Sequence, residues 1–527
     1  MAAPDTAVDL SQAMRLEPVL LGDWLVVAPL LLTILGGALC LITRKNTQAQ
    51  PKIAIIILTL LVLSCAGLLA RVLDQGVVTM VAGAWLPPFG IAFTADALGA
   101  TLALTSSLVA LAVAVYGAVD IDRSGRRYGF YPFLLLLMTG VCGAFLTGDI
   151  FNLYVWFEVL LISSFGLLVL GNERAQLDGA VKYAILNIIA TTLFLIATGL
   201  LYGIVGTLNM ADIAIKAREI GMEGPLVTVA VLYFLAFAMK AAAFPVNFWL
   251  PASYHTPRIV VSAVFAGLLT KVGVYALLRI FVLLMPDARA ALADLIALVA
   301  ILTMLIGVFG ALAQTDIRRM LGYLVISGIG SMLAGLAIGT TPALAGAIFY
   351  AVHSILVMTA LYMAAGVMRA LGGSYSLREL GGLYGANPTF AAVFLMLGFA
   401  VAGLPPFSGF WPKVLLVDAA LVGGHGWIAA SILITGLLTT IAIGRVWVFA
   451  FWRGGAEGTP DGYEKALAVP DPRVSGAGIW LPLGLLLGLI VLLGVQPEFM
   501  MQVAGRGAAS LGEPLGYLRS VFGDAIQ

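Results

Sequence analysis

Charge is what this sequence has least of. Only 10% of its 527 residues are Asp, Glu, Lys or Arg, against 61% hydrophobic, whereas a soluble domain carries about 25% charged residues. The net charge of +1 leaves no basic excess, so no nucleic acid partner is expected. Cysteine is nearly missing too. Cys40, Cys65 and Cys142 each sit in an apolar stretch and form no C-x-x-C pair, which argues against an iron–sulfur cluster or a zinc site. Three histidines, His255, His353 and His425, are too few for a haem array. No phosphate-binding or dinucleotide-binding glycine motif opens a strand–helix unit. No cofactor and no metal site are therefore expected. The first 18 residues contain Asp5, Asp9, Arg15 and Glu17 and lack a basic leader, so no cleavable signal is expected.

What the chain does have is apolar runs of about 20 residues, recurring along nearly its whole length, which is the signature of transmembrane helices. The expected fold is an all-α polytopic membrane protein with fourteen spans, near 20–43, 52–70, 92–118, 131–148, 150–171, 179–205, 225–250, 259–284, 290–313, 320–338, 342–370, 389–419, 427–452 and 476–497. The loops are short. The longest, at about 453–475, holds Arg453, Glu457, Asp461, Glu464, Lys465, Asp471 and Arg473 and is too short for a soluble domain. Of the loop and terminal Lys and Arg residues, 16 follow odd-numbered spans and 8, Arg279 among them, fall on the other side. Basic residues favour the cytoplasmic face. This predicts odd loops in the cytoplasm of a bacterial inner membrane and both termini outside.

The chain also resembles itself. GAVKYAILNIIATTLFLIATG (179–199) aligns with GAIFYAVHSILVMTALYMAAG (346–366) at 8 of 21 positions. LAFAMKAAAFPVNFWLP (235–251) aligns with LGFAVAGLPPFSGFWPK (397–413) at 5 of 17. Two consecutive spans at nearly one offset suggest a five-helix unit that occurs twice. Five is odd, so the second copy is inverted, as in many secondary transporters. The expected organisation is N-terminal helices in 1–130, a first repeat in 131–284, a second in 285–452, and a loop, last helix and tail in 453–527. Pro245 and Pro251 interrupt the seventh span, and Pro405, Pro406 and Pro412 the twelfth. Proline frees a carbonyl four residues back, and such irregular backbone at membrane depth must be buried in protein or line a wet cavity.

Each interrupted segment carries a lysine, Lys240 before its break and Lys413 after. Lys271 and Glu158 also lie deep in apolar segments. A charge at the centre of a bilayer helix costs about 3 kcal/mol or more and usually marks a proton or ion path. Glu158 is nine residues past Asp149, about 13 Å along a helix, with Lys240 its expected partner. Lys271 could instead snorkel to a helix end. His353 titrates near neutrality when unperturbed and would stand between Lys271 and Lys413, or be a hydrogen-bonded packing residue. His255 beside a broken helix, and Asp149 and Asp418 near span ends, are candidates for gating or proton access. Arg445 reads equally well as an anchor. The ordered set Glu158, Lys240, Lys271, His353, Lys413 suggests a lateral string of proton sites with water filling the gaps.

The stretches GDIFNLYVWFEVLLISSFGLLVLG, FAMKAAAFPVNFWLPASYHTPRIVVSAVFAGLLTKVGVYALLR and GLPPFSGFWPK resemble the antiporter-like proton-channel subunits. These include the large membrane subunits of respiratory complex I, membrane-bound hydrogenases and Mrp-type sodium/proton antiporters. Length and wording fit the Mrp branch. The resemblance implies fourteen helices, two inverted five-helix bundles, and a hydrophilic axis carrying Glu158, Lys240, Lys271, His353 and Lys413. It implies a hetero-oligomer with other Mrp subunits, exchanging protons for a monovalent cation. Sodium comes only from the resemblance. The expected role is thus a secondary transporter subunit rather than an enzyme, with a redox-driven proton-pumping subunit as the alternative.

Overall fold

The computed structural model describes residues 14, 19–221, 225–457, 474 and 476–523. The charged residues of the first thirteen positions, Arg15, Glu17 and the loop residues Asp461 to Arg473 lie outside the described residues. Helices α1 (Trp24–Ile42) and α2 (Ala49–Gln75) lead to an antiparallel hairpin of β1 (Val78–Val81) and β2 (Ala92–Ala95), paired from Val78↔Ala95 to Val81↔Ala92. Then come α3 (Ala97–Asp120), α4 (Arg123–Tyr128), α5 (Phe130–Leu146), α6 (Ile150–Leu168), α7 (Arg174–Val205), α8 (Met210–Ile220), α9 (Leu226–Ala241), α10 (Trp249–Ser253) and α11 (Ile259–Leu278). The chain continues through α12 (Pro286–Ala291), α13 (Ala293–Ala313), α14 (Ile317–Ile338), α15 (Thr341–Gly372), α16 (Leu383–Ala386), α17 (Pro388–Ala402), α18 (Phe410–Val422) and α19 (Gly426–Val446). It closes with α20 (Ala477–Val495), α21 (Glu498–Gly512) and α22 (Leu515–Phe522). Single π-helical segments, Arg279–Leu284 and Trp447–Trp452, extend α11 and α19.

Among the described residues, 11 helices are long and apolar enough to cross a membrane, and α5, α9 and α17 are apolar but shorter. Two of the short ones end at the proline breaks foreseen in the sequence. Pro245 and Pro406 have no N–H to give to Ala241 and Ala402, the last residues of α9 and α17. The chain turns there through left-handed residues, Ala242 (φ 59°) and Gly403 (φ 85°). The loosened backbone finds side-chain partners. Phe244 N–H donates to Thr303 Oγ1 at 3.0 Å, and Trp249 Nε1 donates to Met239 O at 3.0 Å.

Burial sorts the helices. The apolar windows of α15 and of α11 with its π segment are 100% buried and that of α14 is 94% buried, whereas α2 and α20 are 33% buried and α1 and α7 39%. So α11, α14 and α15 form the core, and the outer helices turn apolar faces outward, as a chain bathed in lipid requires. Residues Ile259 to Leu284 have no exposed face, since every one is buried.

Three features depart from the sequence reading. The third span does not begin at residue 92, because Ala92–Ala95 is strand; α3 starts at Ala97, where the Asp96 carboxylate accepts Gly99 N–H at 2.8 Å. The tail after α20 is helical rather than plain, and α22 meets the hairpin through a 2.5 Å contact between the Ser520 and Thr79 hydroxyls. Arg279, counted above with the loops, is 1% exposed and donates both terminal nitrogens to Asp96 at 2.7 and 3.0 Å. Tyr275 completes this cluster by accepting from Arg279 and donating to Phe145 O at 3.0 Å.

Candidate functional site

The helices that carry the candidate residues pack in order. α6 lies on α7, α7 on α9, α9 on α11, α11 on α15 and α15 on α18. They hold Glu158, Lys240, Lys271, His353 and Lys413 in that sequence, with α7 between the first two. Close approach of α9 and α11 depends on Gly273, where a Cβ would stand 2.8 Å from Ala241 N. Any larger residue there would push the Lys271 helix off the Lys240 backbone.

Lys240 is 5% exposed. Its Nζ donates to Thr191 Oγ1 on α7 at 2.9 Å and lies 4.8 Å from the centre of the Phe157 ring. The direct Glu158–Lys240 ion pair expected from the sequence does not form. Glu158 Oε1 is buried with no hydrogen-bond partner, and the neighbouring Phe157 ring and Thr191 occupy the ammonium. Lys271, 1% exposed, donates to Ala266 O of its own helix at 2.6 Å. This removes the snorkelling alternative, since the ammonium stays in the core. His353, also 1% exposed, shares a 2.8 Å hydrogen bond between Nδ1 and Ser408 Oγ in the second break. Lys413 Nζ donates to Ala402 O at 2.5 Å. That carbonyl is the one Pro406 leaves without a donor, so the break and the lysine satisfy each other.

The access candidates divide. His255 sits between α10 and α11 with Nδ1 2.8 Å from Pro251 O and Nε2 3.0 Å from Arg319 Nη2. Arg319 can only donate, so Nε2 accepts and Nδ1 carries the proton. Burial first, then the Arg319 charge, pushes its pKa down to about 4. It lines a cavity of ≈ 490 Å³ with Asp178, Lys182, Gln314, Arg319 and Tyr323. A second cavity of ≈ 390 Å³ beside it is lined by Glu173, Arg258, Asp316, Arg318 and Arg369 among others. Asp149 instead caps α6, accepting Asn152 N–H at 2.6 Å, and burial pushes its carboxyl up to about 6. Asp418 is exposed on α18 and meets neither cavity. Arg445 braces the end of α13 by donating to Leu312 O and Gln314 O, an anchoring role.

Sequence reasoning missed Thr191, Asn187 and the Asp96–Arg279 pair. An asparagine in the apolar run YAILNIIATT was the one available signal for the first two. The Asp96–Arg279 contact spans 183 residues of chain and leaves no local trace.

The family described as NADH:quinone oxidoreductase/Mrp antiporter, transmembrane, matches residues 147–439. The chain belongs to this family. The matched segment runs from the cap of α6 into α19 and contains all five candidate residues. Among relatives of the family, a D-type subunit of the Na(+)/H(+) antiporter from Alkalihalophilus pseudofirmus is 37% identical over 498 residues, covering 94% of this chain and 99% of the relative. A chain of the Mrp complex from Dietzia sp. DQ12-45-1b superposes with a TM-score of 0.88 at 28% identity, covering 96% of this chain and 100% of that one. A chain of an archaeal membrane-bound sulfane sulfur reductase superposes at 0.84 with 25% identity, covering 95% and 100%. One family fold therefore occurs in both antiporter and respiratory complexes.

Proposed function

We propose that this chain is a D-type, proton-translocating subunit of a multisubunit Na+/H+ antiporter of the Mrp kind, a secondary transporter rather than an enzyme. Protons move along Glu158, Lys240, Lys271, His353 and Lys413 at mid-membrane and drive efflux of a monovalent cation. The observation that carries this reading is the consecutive packing of the helices bearing these five residues, in a chain aligned almost end to end with a sodium/proton antiporter component. The same likeness favours assembly with the other subunits of such a complex over the redox-driven alternative. Carboxylates suited to a sodium site are scarce in the spans, which leaves the cation to a partner subunit.

In this reading the 11 long and three shorter apolar helices are fourteen spans, and residues 131–284 and 285–452 are two inverted repeats. Local details support the repeat. Asp149 caps α6 and bridges Asn209, while Asp316 caps α14 and bridges Ser376, each pair 167 positions on from the other. The π segments after α11 and α19 are 168 positions apart. Five spans per unit put the two aspartate caps on opposite membrane faces. The His255 cavities, with Arg258, Arg318, Arg319 and Arg369 around them, then open on the cytoplasmic side, and both termini lie outside.

The test uses everted vesicles containing the whole complex, energised to a pH gradient and given sodium. Sodium should collapse the gradient in wild type and fail to do so in Glu158→Gln at equal complex content. No sodium response in assembled wild type overturns the antiporter reading, and a surviving response in the variant makes Glu158 structural.

A further inference from the structure

The α7 face beside Lys240 carries more polarity than its contacts use. Asn187 is buried one turn before Thr191, and its Nδ2 donates to Tyr183 O at 2.9 Å. That bond orients the amide and leaves Oδ1 as a free acceptor. Lys240 Nζ carries three hydrogens, and its one hydrogen bond goes to Thr191. Beside these groups is a small cavity lined by Phe157, Tyr183, Asn187, Lys240, Trp249 and Leu269 among others, with room of ≈ 10 Å³ for a water centre. About one probe sphere is what a single buried water needs, provided two or more polar groups hold it.

We propose that Asn187 is a positioning residue that seats one water molecule against the Lys240 ammonium. Lys240 donates to that water, and the water donates to Asn187 Oδ1. The amide neither gains nor loses a proton; it fixes the water where Lys240 can exchange one with it. The cavity also touches Leu269 of α11, the helix that carries Lys271. The second half repeats the tyrosine and its polar neighbours, though not the lysine. Tyr183 and Asn187 align with Tyr350 and Ser354 at the same offset of 167, and the Tyr183–Ser164 hydroxyl contact has its counterpart in Tyr350 and Ser331. A small polar residue one turn past the tyrosine is thus present in both halves. The inference rests on the reading of Lys240 as a proton site.

An isosteric pair tests it. Asn187→Thr keeps a polar atom at the cavity wall, and Asn187→Val keeps the shape without it. Antiport per assembled complex, measured in vesicles holding the full complex, should stay within about threefold of wild type for Thr and fall about tenfold or more for Val, the scale of a lost proton-transfer partner. A pure packing role treats the two variants alike, so equal activity per complex overturns the proposal. Failure of both to assemble also overturns it, since Asn187 is then structural. Lys240→Ala in the same vesicles separates the two claims: antiport surviving there sinks Lys240 itself, whereas antiport lost there but kept in Asn187→Val sinks only the water seat.

Discussion

On the proposed two-repeat reading, α11 and α19, the spans after the two breaks, occupy matching places in the two halves yet are built differently. Along α11 the face at four-residue spacing reads Lys271, Tyr275, Arg279, all buried. At the corresponding positions α19 and its π segment read Thr439, Ile443, Trp447, with no charge. α11 lies wholly inside the molecule, while the apolar window of α19 is 44% buried. The breaks differ in step. Lys240 precedes its break and binds a side chain, Thr191; Lys413 follows its break and binds a backbone carbonyl, Ala402. A lysine held by a hydroxyl is free to change partner, because hydroxyl rotation costs little. A lysine that supplies the donor missing at a proline break is tied to the fold. On the proposed proton path, the first half is the one suited to exchange, and the second holds its charge as part of the helix interruption.

The largest expected effect in this comparison is at Lys240. Lys240→Ala should reduce antiport about 100-fold or more while membrane amounts stay near wild type, since removing a charge eases helix insertion. Quantitative immunoblots beside the dye assay check both. Normal antiport in that variant would erase the distinction between the halves.

Next in size is the buried ion pair at the end of α11. Arg279→Met leaves Asp96 charged and unpaired in the core, which costs about 3–5 kcal/mol. Thermal stability of the detergent-solubilised complex should fall markedly. The paired change Asp96→Ala with Arg279→Met should recover much of it, because an apolar replacement of a buried pair is often close to neutral. Trp447→Met, the matching change in the second half, removes stacking on Phe451 but strands no charge, so its loss should be smaller. Equal losses at 279 and 447 would mean that the ion pair has no special part in holding the Lys271 helix.

The sequence was most informative where physics makes a residue costly. Buried lysines, a mid-span glutamate and prolines in apolar runs have few structural excuses, and Lys240, Lys271, Lys413, Pro245 and Pro406 could be read directly. Side-chain partners were less accessible because register across packed helices is a three-dimensional property. Nothing local says that Lys240 meets Thr191 instead of Glu158. Arg279 sits near the end of an apolar run, and only the contact with Asp96, far away in the chain, reveals it as interior. The hairpin was hidden for another reason: Val78–Val81 and Ala92–Ala95 are too short for a period-two pattern to stand out beside long apolar helices.

The smallest expected effect belongs to His255, between α10 and α11. Its folded-state pKa is about 4, below the ordinary 6.5, so the ring is neutral across the working range. A group with a depressed folded-state pKa contributes stability that is present above 6.5 and is lost as pH falls towards 4. Between pH 7 and 9 the antiport profile of His255→Gln should therefore superimpose on that of wild type. Below about pH 6 the wild type should lose thermal stability faster than the variant, because the unfolded chain takes up a proton that the buried ring beside Arg319 refuses. Complex melting measured at pH 8 and pH 5 would show it. A shift of the antiport profile near pH 6.5 would instead make His255 a titrating gate, and would give the first half a proton-gated mouth that Val417, its counterpart at the 162-residue offset of the adjoining segment, cannot supply.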